Sequence, residues 1–172
     1  MIIDYDELAK KHKPKEQVRI LLIGEAPPPG GKRYFYLKPN NYRPKGKVEM
    51  DQSLPATIFN HYFGKRPADE NEYSDFLIIL QDRGIFLIDL INKPLRIREK
   101  YGLNYMNLEL IFSDDNLGLL EERISGLTNQ TTTLIFLLAR NYHKIYRQKL
   151  TSRFPNAKFI RWKDFRLDIQ HL

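Results

Sequence analysis

The residues best placed for chemistry lie where two apolar runs end. Val18–Ile23 runs into Gly24 and Glu25, and Ile85–Leu90 carries Asp89 near its end. If these runs are strands of an open α/β sheet, both carboxylates stand at the carboxyl edge, where such sheets bind ligands. The turn Gly24-Glu25-Ala26-Pro27-Pro28-Pro29-Gly30-Gly31-Lys32-Arg33 invites comparison with a phosphate loop. That loop needs a second glycine where Pro29 stands and a hydroxyl residue after its lysine, where Arg33 follows Lys32. Three prolines also remove N–H donors that would cradle phosphate. What remains from the residues alone is a stiff, proline-braced turn that exposes Glu25, followed by the aromatic cluster Tyr34-Phe35-Tyr36.

Other chemistries find little support. His12, His61, His143 and His171 form no pair at metal-ligand spacing, so no metal site is expected. No Gly-x-Ser-x-Gly elbow supports a serine nucleophile. With no cysteine, disulfides, thiolate zinc sites and iron–sulfur clusters are excluded. Asp114-Asp115 and Glu121-Glu122 read as a helix cap and a solvated face.

The elements that must position these residues alternate along the chain. Apolar runs at Val18–Ile23, Ile85–Leu90, Thr132–Leu138 and Ala157–Ile160 read as buried parallel strands. Helices are expected over Asp4–Lys13 (capped by Asp4 or Asp6), Pro55–Phe63, Glu70–Arg83, 114–126 (capped by Asp114 or Asp115), Ala139–Arg153 and Lys163–Leu172. Residues 37–54 read as a long surface loop, and Asn92-Lys93-Pro94 as a turn. The alternation predicts one α/β domain over residues 1–172. It should be a three-layer α/β/α arrangement around a central parallel sheet of about four strands.

Hydrophobic residues make up 42% of the 172, enough for a core, and no apolar run approaches the ~20 residues that cross a membrane. The lack of cysteine and of a leader-like N-terminus points to a reducing, cytoplasmic setting. The net charge of +7 is segregated: residues 1–48 carry +6 and 140–166 carry +8, whereas 49–91 carry −5 and 101–139 carry −4. Segregation of this kind suits a polyanionic partner, while a solvated basic surface is the plain alternative. In 140–153, Arg140, Lys144 and Arg147 share one helix face with Tyr142 and Tyr146 interleaved, a pattern for phosphates and stacked bases. Its alternative is an outer face that keeps Ile145 and Leu150 inward.

Ile20-Leu21-Leu22-Ile23-Gly24-Glu25-Ala26-Pro27 resembles the first motif of the uracil-DNA glycosylase superfamily. Gly84-Ile85-Phe86-Leu87-Ile88-Asp89-Leu90-Ile91-Asn92-Lys93 looks like that superfamily's next strand, and Thr133–Ala139 with its helix like the third. The resemblance implies a DNA base-excision glycosylase that hydrolyses the N-glycosidic bond of a flipped base; the iron–sulfur cluster of the family's Gly-Glu-Ala-Pro-Gly members is impossible without cysteine, and no metal or other cofactor is expected. Glu25 would orient water and stabilise the cationic sugar, and Asp89 would stand at the base-reading position. Gly24, Ala26, Pro27 and one of Tyr34, Phe35 or Tyr36 would hold the base, with Phe35 the first choice for stacking. Lys32, Arg33, Arg140, Lys144 and Arg147 would hold DNA phosphates.

Besides its lack of cysteine, the pattern departs from the family in two places. Asp89 replaces an Asn, and an ionised Asp only accepts hydrogen bonds, so it suits an edge with an amino donor unless burial keeps it protonated. After Ala157–Ile160 the chain reads Arg161-Trp162-Lys163-Asp164 where the family has His-Pro-Ser, leaving Arg161 or Lys163 to offer a cation. A non-catalytic nucleic-acid-binding relative and a small-molecule or nucleotide-handling α/β protein therefore stay open beside the enzyme.

Overall fold

The computed structural model describes residues 3–28, 34–37, 53–94, 109–138, 140–161 and 164–165, with 140–145 as backbone only. Four strands, β1 (Ile20–Gly24), β2 (Ile85–Asp89), β3 (Thr133–Leu138) and β4 (Lys158–Arg161), form one sheet in the order β2-β1-β3-β4. Every pairing is parallel, with Leu22 opposite Leu87 on one side and Ile135 on the other. Successive strand residues point to opposite faces, yet Leu21, Leu22 and Ile23 are all fully buried. Both faces of the central strand are therefore covered, and each such side chain contributes roughly 1.5–3 kcal/mol by leaving water.

Among the described residues, five helices flank this sheet: α1 (Tyr5–Lys10), α2 (Leu54–Phe63), α3 (Glu70–Asp82), α4 (Asp114–Ser125) and α5 (Arg140–Arg153). Their ends follow local chemistry. Asp4 caps α1 by accepting from the Glu7 N–H; the helix stops at Lys10 because His12 and Lys13 donate to the carbonyls three residues back, tightening the chain into turns before Pro14. Ser53 caps α2, and Gly64 ends it at a φ of 67°. The cap of α4 is Ser113, whose hydroxyl accepts from the Asn116 N–H, and neither Asp114 nor Asp115 takes that place. The two aspartates occupy the first turn instead, where negative charge meets the helix dipole favourably. Beyond Asp164–Phe165 the expected last helix lies outside the described residues, as does the body of the 37–54 loop.

The open edge of β2 is closed by side chains. Tyr36 donates its hydroxyl to the Leu87 carbonyl at 3.0 Å and accepts from the Leu87 N–H at 2.7 Å. Two residues on, the Arg123 guanidinium donates to the Asp89 carbonyl at 2.9 Å. These contacts satisfy edge groups that would otherwise invite another strand. They also join the 34–37 segment and α4 to the strand that carries Asp89.

Candidate functional site

Parallel pairing continues past the strand ends, where the Leu90 N–H donates to the Gly24 carbonyl and the Ile91 N–H to that of Glu25. Gly24 lies opposite Asp89 in the register. A Cβ on residue 24 would stand 2.7 Å from Asp89 Oδ1, closer than carbon and oxygen can approach. The glycine thus lets the carboxyl lie across the end of β1. Beside it opens a cavity of about 210 Å³, walled by Ala26 and Pro28, by Tyr34 and Phe35, by the start of α2 at Ser53–Pro55, and by Leu87 and Asp89.

Apolar and aromatic surface dominates these walls. The Phe35 ring stacks on Phe59 at 5.4 Å and 27°, and its carbonyl accepts from the Tyr73 hydroxyl at 2.8 Å. Tyr34 donates to the Tyr5 carbonyl at 3.0 Å, and Tyr5 in turn donates to the Pro28 carbonyl at 2.8 Å. The first helix is thereby latched to the proline turn, and the two tyrosine rings meet edge to face at 4.7 Å. Tyr36 is not in the cavity wall: it is buried against the β2 edge and stacks on His12 at 5.1 Å.

Asp89 is the one ionisable carboxyl in the described wall, and its side chain accepts no hydrogen bond from any described residue. Burial lifts its pKa from the ordinary carboxylate value to about 7; nearby Arg123 opposes the rise and Asp6 adds to it. The same crowding raises the Tyr34 and Tyr36 hydroxyls well above their usual range, burial being the main cause. Near neutrality the Asp89 carboxyl thus divides between a form that donates and accepts and a form that only accepts.

Arg123 and Asp6 complete this electrostatic setting; residue types alone mark Asp6 only as a possible helix cap and Arg123 not at all. Burial lowers the Arg123 pKa, with Asp6, Asp89 and Tyr34 pulling the other way. Asp6 accepts from the Asn92 side chain at 2.8 Å. One signal was available: Arg123 is the single basic residue between positions 101 and 139.

The remaining sequence-derived candidates are more dispersed. Gly24 and Pro27 are buried and Ala26 is in the wall, whereas Glu25 is half-buried and is not among the cavity-lining residues. Arg161 ends β4, is exposed, and pairs with Asp164. Three strand spacings separate β4 from β2, about 14 Å. Arg161 therefore does not join the described wall. Arg147 is exposed on α5, while the side chains of Arg140 and Lys144 and all of Lys32 and Arg33 lie outside the described residues.

Further along α5 the cations are paired with α4. Arg153 holds Asp114 at 2.9 Å and Glu121 at 3.2 Å, and Lys149 holds Asp114 at 3.1 Å. Among the described residues there is no cluster of three potential metal ligands, and no helix is long and apolar enough to cross a membrane.

A strand order of 2-1-3-4 puts the topological switch point between β1 and β3. The cavity opens instead on the β1–β2 side. Residues 29–33 and 139, which leave the ends of β1 and β3, are outside the described set. No protein-family model, curated protein or solved structure matches the chain.

Proposed function

We propose that this chain is a uracil-DNA glycosylase-like protein, a three-layer α/β/α domain that receives a flipped nucleobase in the Asp89 cavity and hydrolyses its glycosidic bond. The observation that carries this reading is a desolvated carboxyl with no hydrogen-bond partner among the described residues, beside the Phe35 and Tyr34 rings at the end of a parallel strand. A planar base would bury its faces against apolar wall and present one polar edge to Asp89. As the C1′–N bond breaks, negative charge grows on the leaving base, and the neutral acid form of Asp89 would donate to its carbonyl oxygen. Glu25, assigned through the resemblance, would stabilise the cationic sugar and take a proton from the attacking water. Basic residues of the 32–33 turn and of α5 would hold the phosphates, and a reducing, cytoplasmic setting belongs to the same proposal.

One observation favours binding without excision. Glu25 is not among the cavity-lining residues. Oligonucleotides carrying uracil, hypoxanthine or xanthine, single- and double-stranded, separate the two readings when treated with protein and then with alkali. Strand breaks that disappear in Glu25→Gln support the enzyme. Salt-dependent binding with no breaks supports the non-catalytic relative. The absence of both breaks and binding would defeat the nucleic-acid reading altogether.

A further inference from the structure

We propose that Asp89 makes the cavity a proton-gated reader of one heterocycle edge, which takes an N–H beside a carbonyl while the carboxyl is neutral and releases it on ionisation. This rests on the cavity being a base-binding site and adds the class of edge it recognises. Gly24 lacks the Cβ that would displace Oδ1, no described side chain or N–H hydrogen-bonds to the carboxyl, and Asp89 lines the cavity in which a ligand would meet it. A neutral carboxylic acid donates through its O–H and accepts through its C=O, side by side. That pair complements a lactam or imide edge, whose carbonyl accepts and whose N–H donates. An ionised carboxylate keeps the acceptor but sets a second lone-pair oxygen against the carbonyl, turning a hydrogen bond into repulsion.

Burial and the charged neighbours together set where the gate opens. Arg123 from α4 favours the ionised form, and Asp6 from α1 disfavours it. The Tyr34 and Tyr36 hydroxyls stay protonated throughout the neutral range. The α2 side of the wall, Ser53–Pro55, contributes no ionisable group. Burial sets the balance, since the described cavity wall gives the carboxylate no hydrogen bond to replace water, and the midpoint falls at about 7.

The test uses free uracil and 3-methyluracil, which has the same ring without the imide N–H, titrated into the full chain at pH 6 and pH 8 with binding read from NMR shifts. Uracil should bind about tenfold more weakly at pH 8 than at pH 6, as linkage to a midpoint near neutrality requires. 3-Methyluracil should bind at least about tenfold more weakly than uracil at pH 6, because one partner of the pair is left unmade. Asp89→Asn offers a donor and an acceptor at every pH, so it should bind uracil with no pH dependence; a loss of binding at both pH values in this variant would overturn the pairing. Uracil affinity that is equal at the two pH values in the unaltered chain, or equal for the two ligands, would also overturn it. Lack of uracil binding at pH 6 would do the same. Failure of base excision leaves this outcome intact, because the binding measurement involves no glycosidic bond.

Discussion

The two charged regions of this molecule treat their charges in opposite ways. On the α4–α5 surface, Asp114, Glu121, Lys149 and Arg153 are solvated and paired with one another. At the β1–β2 edge, Asp89 is crowded by protein and accepts no hydrogen bond from a described residue. The paired set is chemically quiet, because each charge is already answered and water screens the rest. The Asp89 carboxyl, without a hydrogen-bond partner among the described residues, titrates near neutrality, which is the property a working group needs. Counting charges along the chain draws attention to the basic helix, whereas burial draws it to a single acid.

Asp89→Asn should produce the largest contrast. The folded chain holds this carboxyl protonated up to about pH 7, while the unfolded chain ionises it near the ordinary value of 3.8. The unaltered protein should therefore lose stability between about pH 4 and pH 7 and then level off. Asn carries no such penalty, so its stability relative to the unaltered chain should improve on the order of 2–4 kcal/mol from pH 4 to pH 8. Urea unfolding at a series of pH values checks this; parallel profiles for the two proteins would remove the contrast between the regions.

Next comes Tyr36→Phe, which leaves both Leu87 backbone groups without the hydroxyl that serves them. A loss of about 2–3 kcal/mol is expected, together with faster hydrogen exchange at the Leu87 amide. Gly24→Ala should cost less, about 1 kcal/mol, because the clashing atom is the tip of a side chain that can rotate away. Its sharper effect should be on the Asp89 titration, followed by carboxyl ¹³C NMR, since the displaced group moves toward water and its pKa should fall. An unchanged midpoint would show that Gly24 does not hold the carboxyl in place.

The smallest effect belongs to the paired surface. Asp114→Asn removes contacts to Lys149 and Arg153, yet should leave the unfolding midpoint nearly unchanged, and change it even less in high salt. A loss comparable with that of Tyr36→Phe would mean that the α4–α5 surface is more than a solvated network.

Much of the frame can be read directly from residue order. The apolar run Val18–Ile23, closed by Gly24, has the length of a covered strand, and the strand observed, Ile20–Gly24, starts two residues later and ends one residue later. Gly64 and Gly84 both adopt positive φ just beyond helices, as their positions predict. The cap of α4 was harder to read, because Ser113, Asp114 and Asp115 are all good capping residues standing in a row. Only the direction of the chain entering the helix selects among them.

The sequence by itself determined the alternating elements, the parallel character of the sheet and the presence of a carboxylate near the end of its second strand. These depend on local periodicity and on which residues water rejects, both properties of neighbours along the chain. The tertiary structure decided the strand order, the division of Tyr34 and Phe35 from Tyr36, and the approach of Arg123 and Asp6 to Asp89. It also decided the protonation of that acid, because desolvation depends on everything packed around a group, and most of what surrounds Asp89 arrives from distant parts of the chain.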